Sequence, residues 1–366
     1  MKTILLVFGT RPEAIKMCPL VNELKGRRGF RTVVCVTGQH REMLEQVLDV
    51  FGVVPDYNLA VMRKNQTLFD ITVSILEGMK PILELVCPDI VLVHGDTSTS
   101  FAAALACLYM RIPIGHVEAG LRTFDIASPF PEEFNRQAVG ICARLHFAPT
   151  ETARQNLLNE GKNPSTIYVT GNTAIDALKT TVRSDYTHPQ LIWAADCRLV
   201  ILTAHRRENL GEPLLHMFRA IRRVVEETAD VKVIYPIHMN PAVRCAADSV
   251  LGGHPRIRLI EPLDVMDFHN FLAHAFLILT DSGGIQEEAP GLGKPVLVMR
   301  DTTERPEGVA AGTLRLVGSR EKSIYDAFRL LLNDNGEYQK MSHASNPYGD
   351  GFAGARIADI LEKRPF

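Results

Sequence analysis

Asp96, Glu118 and Glu132 stand in three short contexts: Val93-His94-Gly95-Asp96-Thr97, Gly115-His116-Val117-Glu118-Ala119-Gly120 and Pro129-Phe130-Pro131-Glu132-Glu133. The first two follow apolar runs at 90–93 and 112–117 that read as buried strands. In an open α/β sheet the carboxyl ends of the strands line the ligand crevice. Two carboxylates delivered there, with a third at the next helix start, make an acid/base set. On this ground alone the chain reads as an enzyme.

Three further loops carry charge suited to phosphate. Gly9-Thr10-Arg11-Pro12-Glu13 joins a first strand to a first helix. Gly9 permits a tight turn, Pro12 suits the first helical turn, and Arg11 beside a helix N-terminus is placed to hold phosphate. Lys16, one turn on, can support it; the alternatives are a surface arginine and a solvated lysine. In Asp281-Ser282-Gly283-Gly284-Ile285-Gln286-Glu287-Glu288, the glycines let backbone N–H groups approach a phosphate and Ser282 adds a hydroxyl. Glu288 can accept both hydroxyls of a ribose. The plain alternative is a helix capped by Asp281 or Ser282. Thr203-Ala204-His205-Arg206-Arg207-Glu208-Asn209 puts an imidazole and two guanidiniums in one loop, and Arg305 lies in Thr303-Glu304-Arg305-Pro306-Glu307. His205 reads as a proton donor or as a stabiliser of a departing phosphate. A basic surface loop and a salt-bridged arginine are the alternatives.

These loops need strands to position them. Strand patterns at 3–8, 32–37, 90–93, 113–117, 145–148 and 167–172 alternate with helical patterns at 13–25, 41–51, 68–86, 98–109, 132–143 and 151–160. A second series follows, with strands at 199–203, 232–236, 257–260, 277–280, 295–299 and 313–316 and helices at 213–228, 264–273, 284–291, 321–332 and 354–363. Such alternation argues parallel, doubly wound sheets. The stretch 184–198 lacks periodicity, contains His188-Pro189, and reads as an interdomain connection. The expected architecture is α/β: two Rossmann-like doubly wound domains facing each other across a cleft. The first is expected over 1–171 and the second over 172–350, with a terminal helix in 351–366 packing back on the first.

A chain of 366 residues exceeds one ordinary core, in line with two domains. A formal net charge of −2 gives no global case for nucleic acid or anionic membrane. No apolar stretch reaches the roughly 18 residues of a membrane span. The apolar run at 4–8 is cut short by Gly9-Thr10-Arg11-Pro12 and reads as a strand, not a signal peptide. The seven cysteines show no Cys-x-x-Cys pair and read as reduced, buried thiols of a cytoplasmic protein. No dinucleotide fingerprint, Walker loop or serine-hydrolase elbow occurs. Twelve histidines are present, but none with metal-ligand spacing. His94 and His116 read as hydrogen-bonding residues of the cleft wall.

Taken in order, Phe8-Gly9-Thr10-Arg11-Pro12-Glu13-Ala14, Thr37-Gly38-Gln39-His40, His94-Gly95-Asp96-Thr97, His116-Val117-Glu118-Ala119-Gly120-Leu121-Arg122, Pro129-Phe130-Pro131-Glu132-Glu133 with Asn135-Arg136, Gly171-Asn172-Thr173, His205-Arg206-Arg207-Glu208-Asn209, Asp281-Ser282-Gly283-Gly284 and Glu304-Arg305-Pro306-Glu307 span nearly the whole chain. In these motifs the chain resembles the non-hydrolysing UDP-N-acetylglucosamine 2-epimerases of bacterial type. The resemblance implies a GT-B-like fold that binds the UDP-sugar between its two domains and closes around it. It implies reversible inversion at C2, giving UDP-N-acetylmannosamine. The route implied is anti elimination of UDP to 2-acetamidoglucal, then re-addition with protonation on the other face. No cofactor and no metal are implied, and the assembly implied is a homodimer.

Residue by residue, the resemblance makes Asp96, Glu118 and Glu132 the catalytic carboxylates and His205 the diphosphate-contacting histidine. Arg11, Ser282, Gly283 and Gly284 resemble diphosphate binders, Glu288 the ribose-binding acid, and Phe268 a position near uracil. Lys16 and Arg305 match positive positions around the substrate. Some bacterial members bind a second UDP-N-acetylglucosamine as an activator; Gln39, Gln66, Glu132, Arg206 and His238 resemble that site. Glu42 stands where such enzymes tend to have glutamine, and Asn65 where they tend to have arginine, so activation is expected to be altered or reduced. The alternatives are a hydrolysing epimerase releasing N-acetylmannosamine and UDP, a GT-B glycosyltransferase, and a nucleotide-sugar sensor without catalysis. The motifs do not say which polysaccharide the product would feed.

Overall fold

The computed structural model describes residues 1–366 apart from 39, 40, 64, 65 and 304, and apart from the side chains of 41, 42 and 207. Gln39 and Asn65, and the side chain of Glu42, therefore lie outside the described residues.

In the first half, strands β1 (Lys2–Phe8), β2 (Phe30–Val36), β3 (Tyr57–Asn58), β4 (Ile90–His94), β5 (Ile114–Val117), β6 (Leu145–Ala148) and β7 (Ile167–Val169) alternate with helices. These are α1 (Arg11–Lys25), α2 (Arg41–Phe51), α3 (Leu68–Val86), α4 (Ser98–Tyr109), α5 (Glu132–Cys142), α6 (Glu151–Asn159) and α7 (Thr173–Thr181). The second half holds strands β8 (Arg198–Thr203), β9 (Val231–Pro236), β10 (Ile257–Ile260), β11 (Leu277–Thr280), β12 (Val296–Val298) and β13 (Leu314–Leu316). Its helices are α8 (Pro189–Ala194), α9 (Glu212–Glu227), α10 (Pro241–Leu251), α11 (Val265–His274), α12 (Ile285–Gly291), α13 (Pro306–Ala311), α14 (Glu321–Asn333) and α15 (Asn335–Ser342). Helix α16 (Ala353–Lys363) closes the chain.

Two compact units result: residues 1–180 with 348–366, and residues 181–347. The boundary falls in the last turn of α7, not at 171/172, because Asn172 and Asp176 bond within the first unit. The first unit has strand order β3-β2-β1-β4-β5-β6-β7 and the second β10-β9-β8-β11-β12-β13. Every strand pair in both is parallel. In each, the order reverses beside the first strand of its sheet, which is the topological switch point where α/β sheets bind ligands. The loops after β1 and β4 meet there in unit 1, as do those after β8 and β11 in unit 2.

Register explains the cores. Leu5, Val33 and Val91 are in register across β1, β2 and β4, as are Val7, Cys35 and Val93, and all six share one buried face. In unit 2, Val200, Val233 and Leu277 face one core while Ile201, Ile234 and Ile278 face the other. Sheets buried on both faces demand such near-continuous apolar strands.

Helix α16 is held at both ends on unit 1. The Asp176 carboxylate accepts the N–H groups of Ala353 at 3.1 Å and Gly354 at 2.8 Å. At the other end, Lys2 Nζ donates to the carbonyls of Leu361, Glu362 and Arg364 at 2.7, 2.9 and 2.6 Å. Backbone groups that a helix leaves unpaired at its termini are thus satisfied.

The structure corrects several expectations. The stretch 184–198 contains α8, whose Leu191 and Ala194 are buried in a unit 2 core, so it is part of that unit. Strand β3 and helices α10, α13 and α15 had no counterpart in the periodicity. Cys87 and Cys245 are exposed, whereas Cys18, Cys35 and Cys107 are buried as expected. Burial pushes each of those three thiols up to about 12, where they stay protonated and inert.

Candidate active site

In unit 1 the loop after β1 is built around Gly9 and Glu13. A Cβ at Gly9 would lie 1.8 Å from Thr37 Oγ1, so only glycine fits there. The buried Glu13 carboxylate accepts the N–H groups of Gly9 at 3.0 Å and Thr10 at 2.8 Å, completing a capping box with Thr10. It also accepts the Thr97 hydroxyl at 2.7 Å, which ties the β1 loop to the β4 loop. Burial raises its pKa despite these donors. Arg11 is the first residue of α1 and is half-buried.

Glu118 follows β5 with φ +60°, in the left-handed region that a non-glycine residue seldom enters. Such strain costs on the order of 1–3 kcal/mol and clusters at functional sites. The turn is pinned on its far side. Ala119 N–H donates to Phe147 O at 3.0 Å, and a Cβ at Gly120 would fall 2.2 Å from Ala153 O. The Glu118 carboxylate is largely buried and ion-paired with Lys16, accepts Asn172 Nδ2 at 3.1 Å, and faces His94 Nε2 at 3.6 Å.

Asp96 occupies the neighbouring strand end. Its carboxylate pairs with Arg136, and its backbone carbonyl accepts Asn135 Nδ2 at 2.9 Å. Burial works against the Arg136 charge, yet Asp96, Glu133 and Glu118 together hold its pKa above the ordinary value. Glu132 opens α5 and is half-buried; among the described residues its carboxylate has no hydrogen bond or ion pair. The adjacent Glu133 is fully buried and instead braces the loop, accepting Thr123 N–H at 3.0 Å and Phe124 N–H at 3.2 Å. His116 Nε2 donates to Gly95 O at 2.7 Å, and burial pushes its pKa down to about 3, so the ring is neutral.

In unit 2 the organiser is Asp281. It does not cap α12, whose N-cap is Gly284 with no side-chain cap bond. Its fully buried carboxylate accepts the backbone N–H groups of His205 and Arg206, each at 2.9 Å, and Asn209 Nδ2 at 3.0 Å. This bends the loop after β8 toward the loop after β11. His205 stacks on His238 with ring centroids 5.0 Å apart. Burial lowers the His205 pKa, and the nearby Asp281 charge opposes that shift.

Two guanidiniums converge on the glycine turn. A Cβ at Gly283 would lie 3.0 Å from Arg305 Nη1 and 3.3 Å from Arg206 Nη2. Arg305 is held by the buried Glu287, with Nε to Oε1 at 2.9 Å, and Arg206 Nε donates to Asp281 O at 3.3 Å. Ser282 precedes the turn, its N–H bonded to Thr280 Oγ1 at 2.9 Å. Two cations, a hydroxyl and a helix N-terminus around one glycine turn make a cradle that could hold an anion. On the adjoining helices His269 Nε2 faces Glu288 Oε2 at 3.5 Å, with Phe268 beside it on α11.

The structure thus brings Lys16 to Glu118, and gathers His205, Arg206, His238, Ser282, Gly283, Gly284 and Arg305 at one strand-end cluster. Gln66 is held by its own segment, accepting Arg63 N–H at 2.8 Å. Glu13, Arg136, Asn172, Asp281 and Glu287 had been assigned no chemistry. The Thr-x-x-Glu spacing of a capping box could have singled out Glu13, and Arg136 stands in one of the motifs that carry the family resemblance; no comparable signal marks Glu287. Among the described residues no group of three or more His, Cys, Asp or Glu side chains could hold a metal ion. No described helix is long and apolar enough to cross a membrane.

Two Rossmann-like parallel sheets, one with carboxylates at neighbouring strand ends and the other with two arginines at a glycine turn, define a GT-B-like class of protein. Comparison with known proteins narrows this. The family model for UDP-N-acetylglucosamine 2-epimerase matches residues 22–362, and the chain belongs to that family. It is 59% identical to the UDP-N-acetylglucosamine 2-epimerase of Bacillus subtilis, over 98% of this chain and 94% of that one. The crystal structure of a putative UDP-N-acetylglucosamine 2-epimerase from Listeria monocytogenes superposes with a TM-score of 0.94 at 55% identity, covering 99% of this chain and 96% of that one. The UDP-GlcNAc 2-epimerase of Neisseria meningitidis, solved bound to UDP-GlcNAc, gives 0.91 at 44% identity, covering 99% and 100%.

Proposed function

We propose that this protein interconverts UDP-N-acetylglucosamine and UDP-N-acetylmannosamine without hydrolysis. The observation that carries the proposal is the placement of Asp96 and Glu118 at neighbouring strand ends, each paired with its own cation, Arg136 or Lys16. C2 has no adjacent carbonyl, so its proton is not acidic in the intact substrate. In the proposed route a carboxylate takes the C2 proton as the C1–O bond to UDP breaks, and UDP leaves with the electron pair. The product is 2-acetamidoglucal, with a C1=C2 double bond. UDP then re-adds at C1 while C2 is protonated from the opposite face. Two faces need two positioned groups, supplied from Asp96, Glu118 and Glu132.

The leaving UDP carries the developing charge. His205, Arg11, Arg305 and the Ser282-Gly283-Gly284 turn are proposed to hold its diphosphate. Glu288 takes the ribose and Phe268 the uracil side. Retention of UDP while it is detached keeps re-addition effectively intramolecular. The reading needs no cofactor. It includes a homodimer, for which exposed Phe69, Tyr109 and Ile141 on α3, α4 and α5 offer apolar surface, and a cytoplasmic location suited to unpaired thiols. Arg206, which also borders the Gly283 turn, is proposed to contact the activator together with His238, Gln66 and Gln39, that binding being weakened by Asn65 and Glu42.

Incubation with UDP-N-acetylglucosamine in deuterated water, followed by proton NMR, tests the proposal. Deuterium at C2 and a mixture with UDP-N-acetylmannosamine are expected. Free N-acetylmannosamine plus UDP would place the chain with hydrolysing enzymes instead. An unchanged spectrum would support a transferase or a sensor.

A further inference from the structure

Asn172 lies in the connection from β7 to α7 and is 3% exposed. Its Oδ1 accepts the N–H of Ala174 at 2.9 Å, the bond of a helix N-cap. That bond fixes which end of the amide carries hydrogens, and Nδ2 meets Glu118 Oε2 at 3.1 Å. The backbone N–H of Asn172 donates to Tyr348 O at 2.7 Å. Tyr348 begins the segment that returns to unit 1 and is itself buried. The two backbones run so close that a Cβ on Gly349 would lie 3.2 Å from Gly171 Cα. Asn172 is therefore held by a helix start and by the return segment while its amide reaches Glu118. Lys16 engages the same Glu118 oxygen. A lysine is a compact charge on a flexible stem and sets little direction. A planar amide held on both sides does set one, as supporting groups do for metal ligands and designed sites.

We propose that Asn172 is a positioning residue that fixes the orientation of the Glu118 carboxylate toward the carbon whose proton is exchanged. The inference rests on the reading of Glu118 as an acid/base group given above. Through Tyr348, it also makes the C-terminal return of the chain a support for that carboxylate.

Asn172→Asp tests it. Aspartate retains a capping oxygen for Ala174 but sets a second carboxylate against Glu118, and like charges raise the pKa of such a pair. The acid limb of kcat, read by C2 deuterium exchange, is expected to move up by about one pH unit. At pH 7, kcat is expected to fall about tenfold, with KM changed by less than about twofold. Melting temperatures at pH 5 and pH 8 supply a readout without turnover. Asn172→Asp is expected to destabilise more at pH 8, and the difference to vanish in a Glu118→Gln background. A wild-type pH profile together with an equal melting deficit in both backgrounds overturns the proposal, leaving Asn172 a helix cap. Should Asn172→Asp not fold, Asn172→Ser retains a cap without the donor and is expected to lower kcat about tenfold at constant KM; wild-type kcat there overturns it too. A wild-type protein with no C2 exchange overturns the functional reading and the role built on it, while the melting comparison still shows whether the two side chains interact.

Discussion

The buried carboxylate of Asp281 accepts the backbone N–H of His205 at 2.9 Å, so the residue after β11 sets the path of the loop after β8. It binds Arg206 N–H and Asn209 Nδ2 as well. Replacing it with alanine strips three donors of their acceptor, the buried Asn209 amide among them. Asp281→Ala is expected to lose on the order of 3 kcal/mol of stability and at least about tenfold in UDP affinity. Urea melts and calorimetric titration with UDP check both.

The cradle arginines should separate by their supports. Arg305→Ala removes the guanidinium that pairs the buried Glu287, so both stability and UDP affinity are expected to fall. Arg206→Ala leaves no such carboxylate behind and is expected to weaken UDP binding with a melting temperature near that of the parent. Equal destabilisation by the two would contradict this assignment.

Lys16 and Glu118 form a largely buried ion pair. Lys16→Met and Glu118→Gln are each expected to destabilise by about 3 kcal/mol, because each leaves one charged or polar partner behind. The double variant should lose less than the sum, a coupling that a double-mutant cycle measures. Glu118→Gln should also lower C2 exchange by about a thousandfold.

Acid stability should follow the buried histidines. Burial pushes His116 down to about 3 and His146 down to about 4. Both are depressed below the ordinary value of about 6.5, so between that pH and the folded pKa the unfolded chain binds more protons. Stability is therefore expected to fall as pH drops from 6.5 toward 4, each histidine contributing up to about 1.4 kcal/mol per pH unit. His146→Gln removes one titrating group, and its melting temperature should decline less steeply over that range.

Activation should be weak. With Asn65 and Glu42 in place of arginine and glutamine, the rate is expected to rise hyperbolically with UDP-N-acetylglucosamine. Turnover of UDP-N-acetylmannosamine alone is expected to proceed. A sigmoidal curve, with no reverse turnover unless UDP-N-acetylglucosamine is added, would refute this.

Much of the fold was legible along the chain. Apolar runs long enough for strands and broken at regular intervals by helical periodicity specify two parallel sheets, since only strands buried on both faces tolerate such runs. The periodicity gives helices α2, α3 and α4 to the residue, and in the structure α3 and α4 are capped by Thr67 with Asp70 and by Thr97. Helix α8 was missed because its six residues are too short to show a period. The exposed Cys87 follows α3 in the left-handed conformation, a position no apolar pattern marks as outward.

The site divides along the same line. Asp96, Glu118, His205, Ser282 and Gly283 were visible from sequence because each follows a strand, and strand ends are a local property of the chain. The partners of the first three are distant in sequence: Arg136 for Asp96, Asn172 for Glu118 and Asp281 for His205. Sequence by itself determined which groups stand at the ends of the strands. Only tertiary structure decided which carboxylates brace neighbouring loops, as Glu13, Glu133 and Asp281 do. A hydrogen bond across a turn of parallel sheet depends on strand order and register, and neither is written in local periodicity.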